Sequence, residues 1–156
     1  FSRFNMAFPP GSGKNYEQGA TVWADWTKIP LIPRNFGLEG EYRRLSFNPP
    51  PSNPGLRSNV FLGGPTYTWN FSRLSIYGKG MFGYGAIHFS GYEPYTNDSR
   101  TLTAVGGGAQ YRITSGVLLR ADYEYQWWPA LITGRFQPNG LTIGLAYDFR
   151  TVGRRY

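Results

Sequence analysis

Residues 140–149 read Gly140-Leu141-Thr142-Ile143-Gly144-Leu145-Ala146-Tyr147-Asp148-Phe149. Every second residue is apolar: Leu141, Ile143, Leu145, Tyr147 and Phe149. Between them stand Thr142, Gly144, Ala146 and Asp148. A period of two means a strand with one greasy face and one face that tolerates polarity. The run is about as long as a tilted strand needs to be to cross a bilayer core.

Seven further segments read the same way: 1–6, 16–28, 36–47, 58–69, 73–89, 101–113 and 117–128. Their connections fall into two classes. Asn70-Phe71-Ser72 and Thr114-Ser115-Gly116 are tight, and the link over 29–35 is only a little longer. The links over 7–15, 48–57, 90–100 and 129–139 are longer and rich in turn formers. Short and long links alternate. An antiparallel meander places every second link at the same end, so one end carries turns and the other carries loops. The expected fold is all-β: an eight-stranded antiparallel up-and-down transmembrane β-barrel over 1–149, closed by pairing of the first and last segments. A short polar tail follows over 150–156.

Composition agrees with this fold. The chain has 156 residues, 18% aromatic and only 16% charged, with 21 glycines and 12 prolines. A typical domain is about 25% charged. There is no cysteine, so no disulfide or thiolate metal site is expected, and no other metal or cofactor is indicated. No apolar run approaches the length of a transmembrane helix. Mean hydropathy is negative, as it is when lumen-facing polar residues dilute the average. The chain begins at Phe1 without a Met or a signal peptide, which reads as a mature or trimmed form. The net charge of +7 is scattered apart from Arg150, Arg154 and Arg155, so nucleic acid is not an expected partner.

The charges choose a face. In the seventh segment Val117, Leu119, Ala121, Tyr123, Tyr125 and Trp127 oppose Leu118, Arg120, Asp122, Glu124, Gln126 and Trp128. The same parity places Asp25, Glu39, Glu41 and Asp148 opposite apolar faces, together with Arg43, Lys79 and Arg112. A soluble barrel, including one of lipocalin type, has apolar side chains inside and charge outside. Here the order is inverted. These ten residues are the expected lumen charge network. An eight-stranded barrel is filled by its own side chains, and an unpaired buried charge is costly. Glu39, Glu41, Asp122 and Glu124 are therefore expected beside Lys79, Arg43 or Arg120.

Trp26, Tyr42, Tyr84, Trp127, Tyr147 and Phe149 are the expected aromatic girdle, with Trp23, Trp69 and Trp128 also near segment ends. Tyr and Trp collect where an apolar ring meets lipid and a polar tip meets water. The glycines of GKGMFGYGAIHF and VGGGAQY do not have the spacing of a phosphate-binding loop. They read as sites of sheet curvature or close approach. Pro49-Pro50-Pro51 stiffens one of the four long loops, which are the expected recognition surface.

The last strand, the strand count and the alternating links resemble the small outer-membrane β-barrel families typified by the OmpA and OmpX transmembrane domains. That resemblance implies a bacterial outer-membrane location and contact with membrane lipid and lipopolysaccharide. It also implies recognition by the barrel assembly machinery through the closing strand that ends at Phe149. The implied role is structural, anchoring or surface interaction, without catalysis. Two alternatives stay open. His88-Phe89-Ser90 is similar to the His-x-Ser pair of the lipid A 3-O-deacylases, with Glu93 or Asp98 as the acid. That likeness implies an ester hydrolase acting on lipid A. Exposed aromatic bands would alternatively suit a self-assembling barrel, and hence a homo-oligomer.

Overall fold

The computed structural model describes residues 1–6, 15–27, 30, 33–47, 55–90, 97–131 and 134–149. The strands are β1 (Ser2–Met6), β2 (Asn15–Trp26), β3 (Phe36–Phe47), β4 (Gly55–Phe71), β5 (Leu74–Ser90), β6 (Asn97–Arg112), β7 (Val117–Leu131), β8 (Gly134–Phe136) and β9 (Asn139–Tyr147). Each pairs antiparallel with its neighbour from β1 to β7. β8 and β9 both pair with β7 and make one interrupted eighth stave. The break falls at Gln137-Pro138, where a proline cannot donate to the ladder, though the Pro138 carbonyl still accepts from the Gln126 N–H at 2.9 Å.

The barrel closes where Ser2, Arg3, Phe4 and Asn5 face Thr142, Leu141, Gly140 and Asn139. This is the pairing expected of the 140–149 stretch. The seam is short, and hydroxyls reinforce it from inside. Thr142 Oγ1 lies 3.0 Å from Ser2 Oγ, which lies 2.5 Å from Thr21 Oγ1.

β4, β6 and β7 run longer than the sequence suggests, and β5 keeps the length expected of it. β4 and β5 have 17 residues each. At about 3.4 Å per residue and a tilt of roughly 40° they rise about 44 Å, well past an apolar band about 25 Å tall. Most of the excess lies at the loop end. The expected long loop over 129–139 is largely strand there, since β7 continues through Pro129 to Leu131 and pairs with β8. A register shift between Trp128 and Leu131 accommodates the proline. At the turn end, β4 and β5 are joined by Ser72 and Arg73 alone, and Ser72 adopts a left-handed φ of 50°. The triple-proline loop and the 150–156 tail lie outside the described residues.

The outer wall is apolar. Val22, Trp26, Phe61, Phe82, Tyr123, Ile143, Leu145 and Tyr147 are all exposed. The inside holds two zones. One is an apolar cluster of Val60, Leu62, Met81, Ile87, Leu102, Ala104 and Trp128. The other is charged.

Candidate functional site

In a closed barrel of eight staves, β3 and β7 lie four apart and so face each other across the lumen. Both run from the turn end to the loop end. In that direction β3 presents Glu39, Glu41 and Arg43, while β7 presents Arg120, Asp122 and Glu124. Charges match at the lower and upper levels. Arg120 Nη2 donates to Glu39 Oε2 at 2.7 Å, and Arg43 Nη1 donates to Glu124 Oε1 at 2.9 Å. At the middle level acid meets acid, Glu41 against Asp122. Lys79 of β5 fills that gap. Its Nζ lies 3.2 Å from Glu39, 2.9 Å from Glu41, 3.1 Å from Asp122 and 3.0 Å from Glu124.

Neutral groups complete the packing. Arg43 also donates to Glu41, and to Thr21 Oγ1 at 3.2 Å, while its guanidinium stacks 4.0 Å from the centre of the Phe4 ring. The Tyr77 hydroxyl donates to Asp122. Gln126 donates to Glu124 at 2.8 Å and accepts from the Trp128 indole at 2.9 Å. The Lys79 ammonium donates to Glu39 and Glu41, and its contacts with Asp122 and Glu124 are electrostatic only. All seven charged side chains are buried.

The remaining expected lumen residues lie nearer the turn end. Asp25 accepts from Arg120 at 3.2 Å and stays partly open to solvent. Arg112 and Asp148 form a looser pair of their own at 3.7 Å.

Two tryptophans correct the girdle expectation. Trp128 is only 3% exposed and belongs to the apolar lumen cluster. Its ring lies so close to Gly85 that a Cβ there would collide with it. Trp23 also points inward and lies under the Arg120 guanidinium, 4.8 Å from ring centre. Both sit at positions whose parity matches that of the lumen acids on the same strand, and parity overrides nearness to a strand end. Trp26, Tyr84, Trp127, Tyr147 and Phe149 are exposed. Tyr147 packs edge-on to Phe149 at 5.0 Å. Tyr42 faces outward from mid-strand against Phe61 at 4.5 Å.

Glu17 was not among the expected network residues. It is fully buried, accepts from Ser58 at 2.8 Å, and its Oε1 has no hydrogen-bond partner among the described residues. Its parity with Asp25 on β2 was the signal for it.

The alternative catalytic group is not assembled among the described residues. His88 is exposed and its Nδ1 lies 2.5 Å from Asn97 Oδ1. Asp98 pairs with Arg100 at 3.3 Å. Glu93 and the side chain of Ser90 lie outside the described residues.

An apolar outside around a charged inside is the arrangement of a barrel solvated by lipid. Residues 10–149 match the family model for the outer membrane protein β-barrel domain. The chain belongs to that family. As an outer membrane β-barrel, its place is the bacterial outer membrane. Solved relatives share the fold at low identity. Neisserial surface protein A is 16% identical with a TM-score of 0.76, covering 95% of this chain and 92% of that one. Ail, the attachment invasion locus protein of Yersinia pestis, is 20% identical with a TM-score of 0.64, covering 94% and 90%. No curated protein matches.

Proposed function

We propose that this outer membrane β-barrel is a sealed anchor that displays its loop end at the cell surface and neither conducts nor catalyses. The observation that carries the reading is the Lys79 cluster. Seven buried charged groups brace β3 against β7 across the lumen, and the apolar cluster around Trp128 fills a further part of it. Eight-stranded barrels have interiors just wide enough for side chains to fill. Strands that extend past the apolar band hold the loop end clear of the lipid, where a surface-interaction role would be carried.

Planar-bilayer recording tests this. The purified barrel is expected to give no stable conductance steps. Discrete, reproducible steps would contradict a sealed lumen and favour a channel.

A further inference from the structure

The outer wall carries a groove of about 690 Å³ across β2 to β6. Its floor is a row of cross-strand neighbours, Ala24, Gly40 and Gly63. Trp26 bounds it toward the turn end, and Tyr42 and Phe61 bound it toward the loop end. The two glycines do not relieve crowding inside the wall. An added Cβ meets nothing nearer than 3.7 Å at Gly40 or 3.8 Å at Gly63. At Gly64 or Gly83, by contrast, it would strike a neighbouring backbone. What glycine provides at 40 and 63 is space on the lipid side.

The same two strands carry Arg44 and Arg57 beyond the groove, toward the loop end. Both are exposed. Arg44 faces Asn59 across β3 and β4, so Arg57 is its diagonal neighbour, at about 7–8 Å. Neither arginine forms an ion pair among the described residues. His88 stands directly opposite Arg57 and, with Nδ1 on Asn97, has Nε2 as its remaining polar atom. Two like charges on diagonal cross-strand positions repel, and an anion bound between them relieves that repulsion. Paired guanidiniums match phosphate geometry.

We propose that this wall binds an outer-leaflet lipid with a phosphorylated headgroup. The phosphate sits on Arg44 and Arg57, and one acyl chain crosses the Tyr42–Phe61 pair into the groove over Gly40 and Gly63. The arginine-to-floor distance, about 13 Å along β3, suits a headgroup joined to a hydrocarbon chain. Lipid tails gain no hydrophobic free energy by moving from bilayer to groove, so the charged end supplies the selectivity and the groove supplies the fit. The proposal is independent of whether the lumen is sealed.

Native mass spectrometry of the detergent-solubilised barrel with added lipid A provides the test. Wild type is expected to retain one molecule of bisphosphorylated lipid A, and to hold phosphate-free lipid A at least tenfold more weakly. The double variants Gly40→Leu/Gly63→Leu and Arg44→Ala/Arg57→Ala should each lose at least tenfold in retention while keeping heat-modifiable migration on a gel. Equal retention of the two lipids by wild type overturns the proposal without any variant. So does retention unchanged in either double variant. A dimer abolished by the glycine variant with lipid retention intact would assign the groove to a second copy of the chain and overturn it as well.

Discussion

Replacing Lys79 with methionine is expected to destabilise the barrel by about 3–5 kcal/mol, the usual cost of removing one partner from a buried charge pair. The effect should lie at the upper end of that range. Glu39, Glu41, Asp122 and Glu124 all lie within 3.2 Å of its ammonium, and Glu41 and Asp122 have no matching charge directly across the lumen. Arg43 and Arg120 would remain, reaching Glu41 and Asp122 from the same strand but each already shared with Glu124 or Glu39 across the lumen. Urea unfolding in lipid vesicles, followed by gel mobility, measures the change. Combining Lys79→Met with Asp122→Asn should recover part of the loss, because the two sites are coupled. A change below about 1 kcal/mol for Lys79→Met, the range of exposed ion pairs, would mean that the lumen is wet and the cluster screened.

Leu145→Arg probes the opposite face. Leu145 is 67% exposed and is central among the outward residues Leu141, Ile143, Leu145, Tyr147 and Phe149. On the surface of a water-soluble protein such a change stays within about 0.5 kcal/mol. On a lipid-facing wall near the bilayer midplane it costs about 2–4 kcal/mol. Unfolding from vesicles, with Leu145→Ala as reference, is expected to show the larger value. A difference inside the smaller range would place β9 out of the hydrocarbon.

Much of this fold is written in the period of the sequence. The 36–47 segment coincides with β3, and parity alone places Glu39, Glu41, Arg43, Arg120, Asp122 and Glu124 on one side of the wall. Parity also assigns Trp23 and Trp128 inward, and the attraction of aromatic rings to interfaces pointed the other way. Strand ends were less legible. Pro129 and Gln137-Pro138 read as loop, yet a register shift and an interrupted stave carry the ladder past them. Loop-end strands that rise past the bilayer have no apolar face to mark them. Partners across the lumen are harder still, because they depend on which staves oppose each other and at what height. The eight-stave count places β3 against β7, but the role of Lys79 emerges only once acid is seen to meet acid between them. The Gly40–Gly63 groove is invisible along the chain, since its floor and walls come from neighbouring strands.

Trp127 and Trp128 are adjacent in sequence and placed on opposite sides of the wall, 40% and 3% exposed. Two single-tryptophan proteins, each with the other four tryptophans changed to phenylalanine, can be reconstituted with lipids brominated along the acyl chain near the headgroup. Fluorescence of the Trp127 protein is expected to be strongly quenched, and that of the Trp128 protein to be nearly unaffected. Equal quenching of the two, or stronger quenching of Trp128, would contradict a lipid-facing outside and a sealed inside.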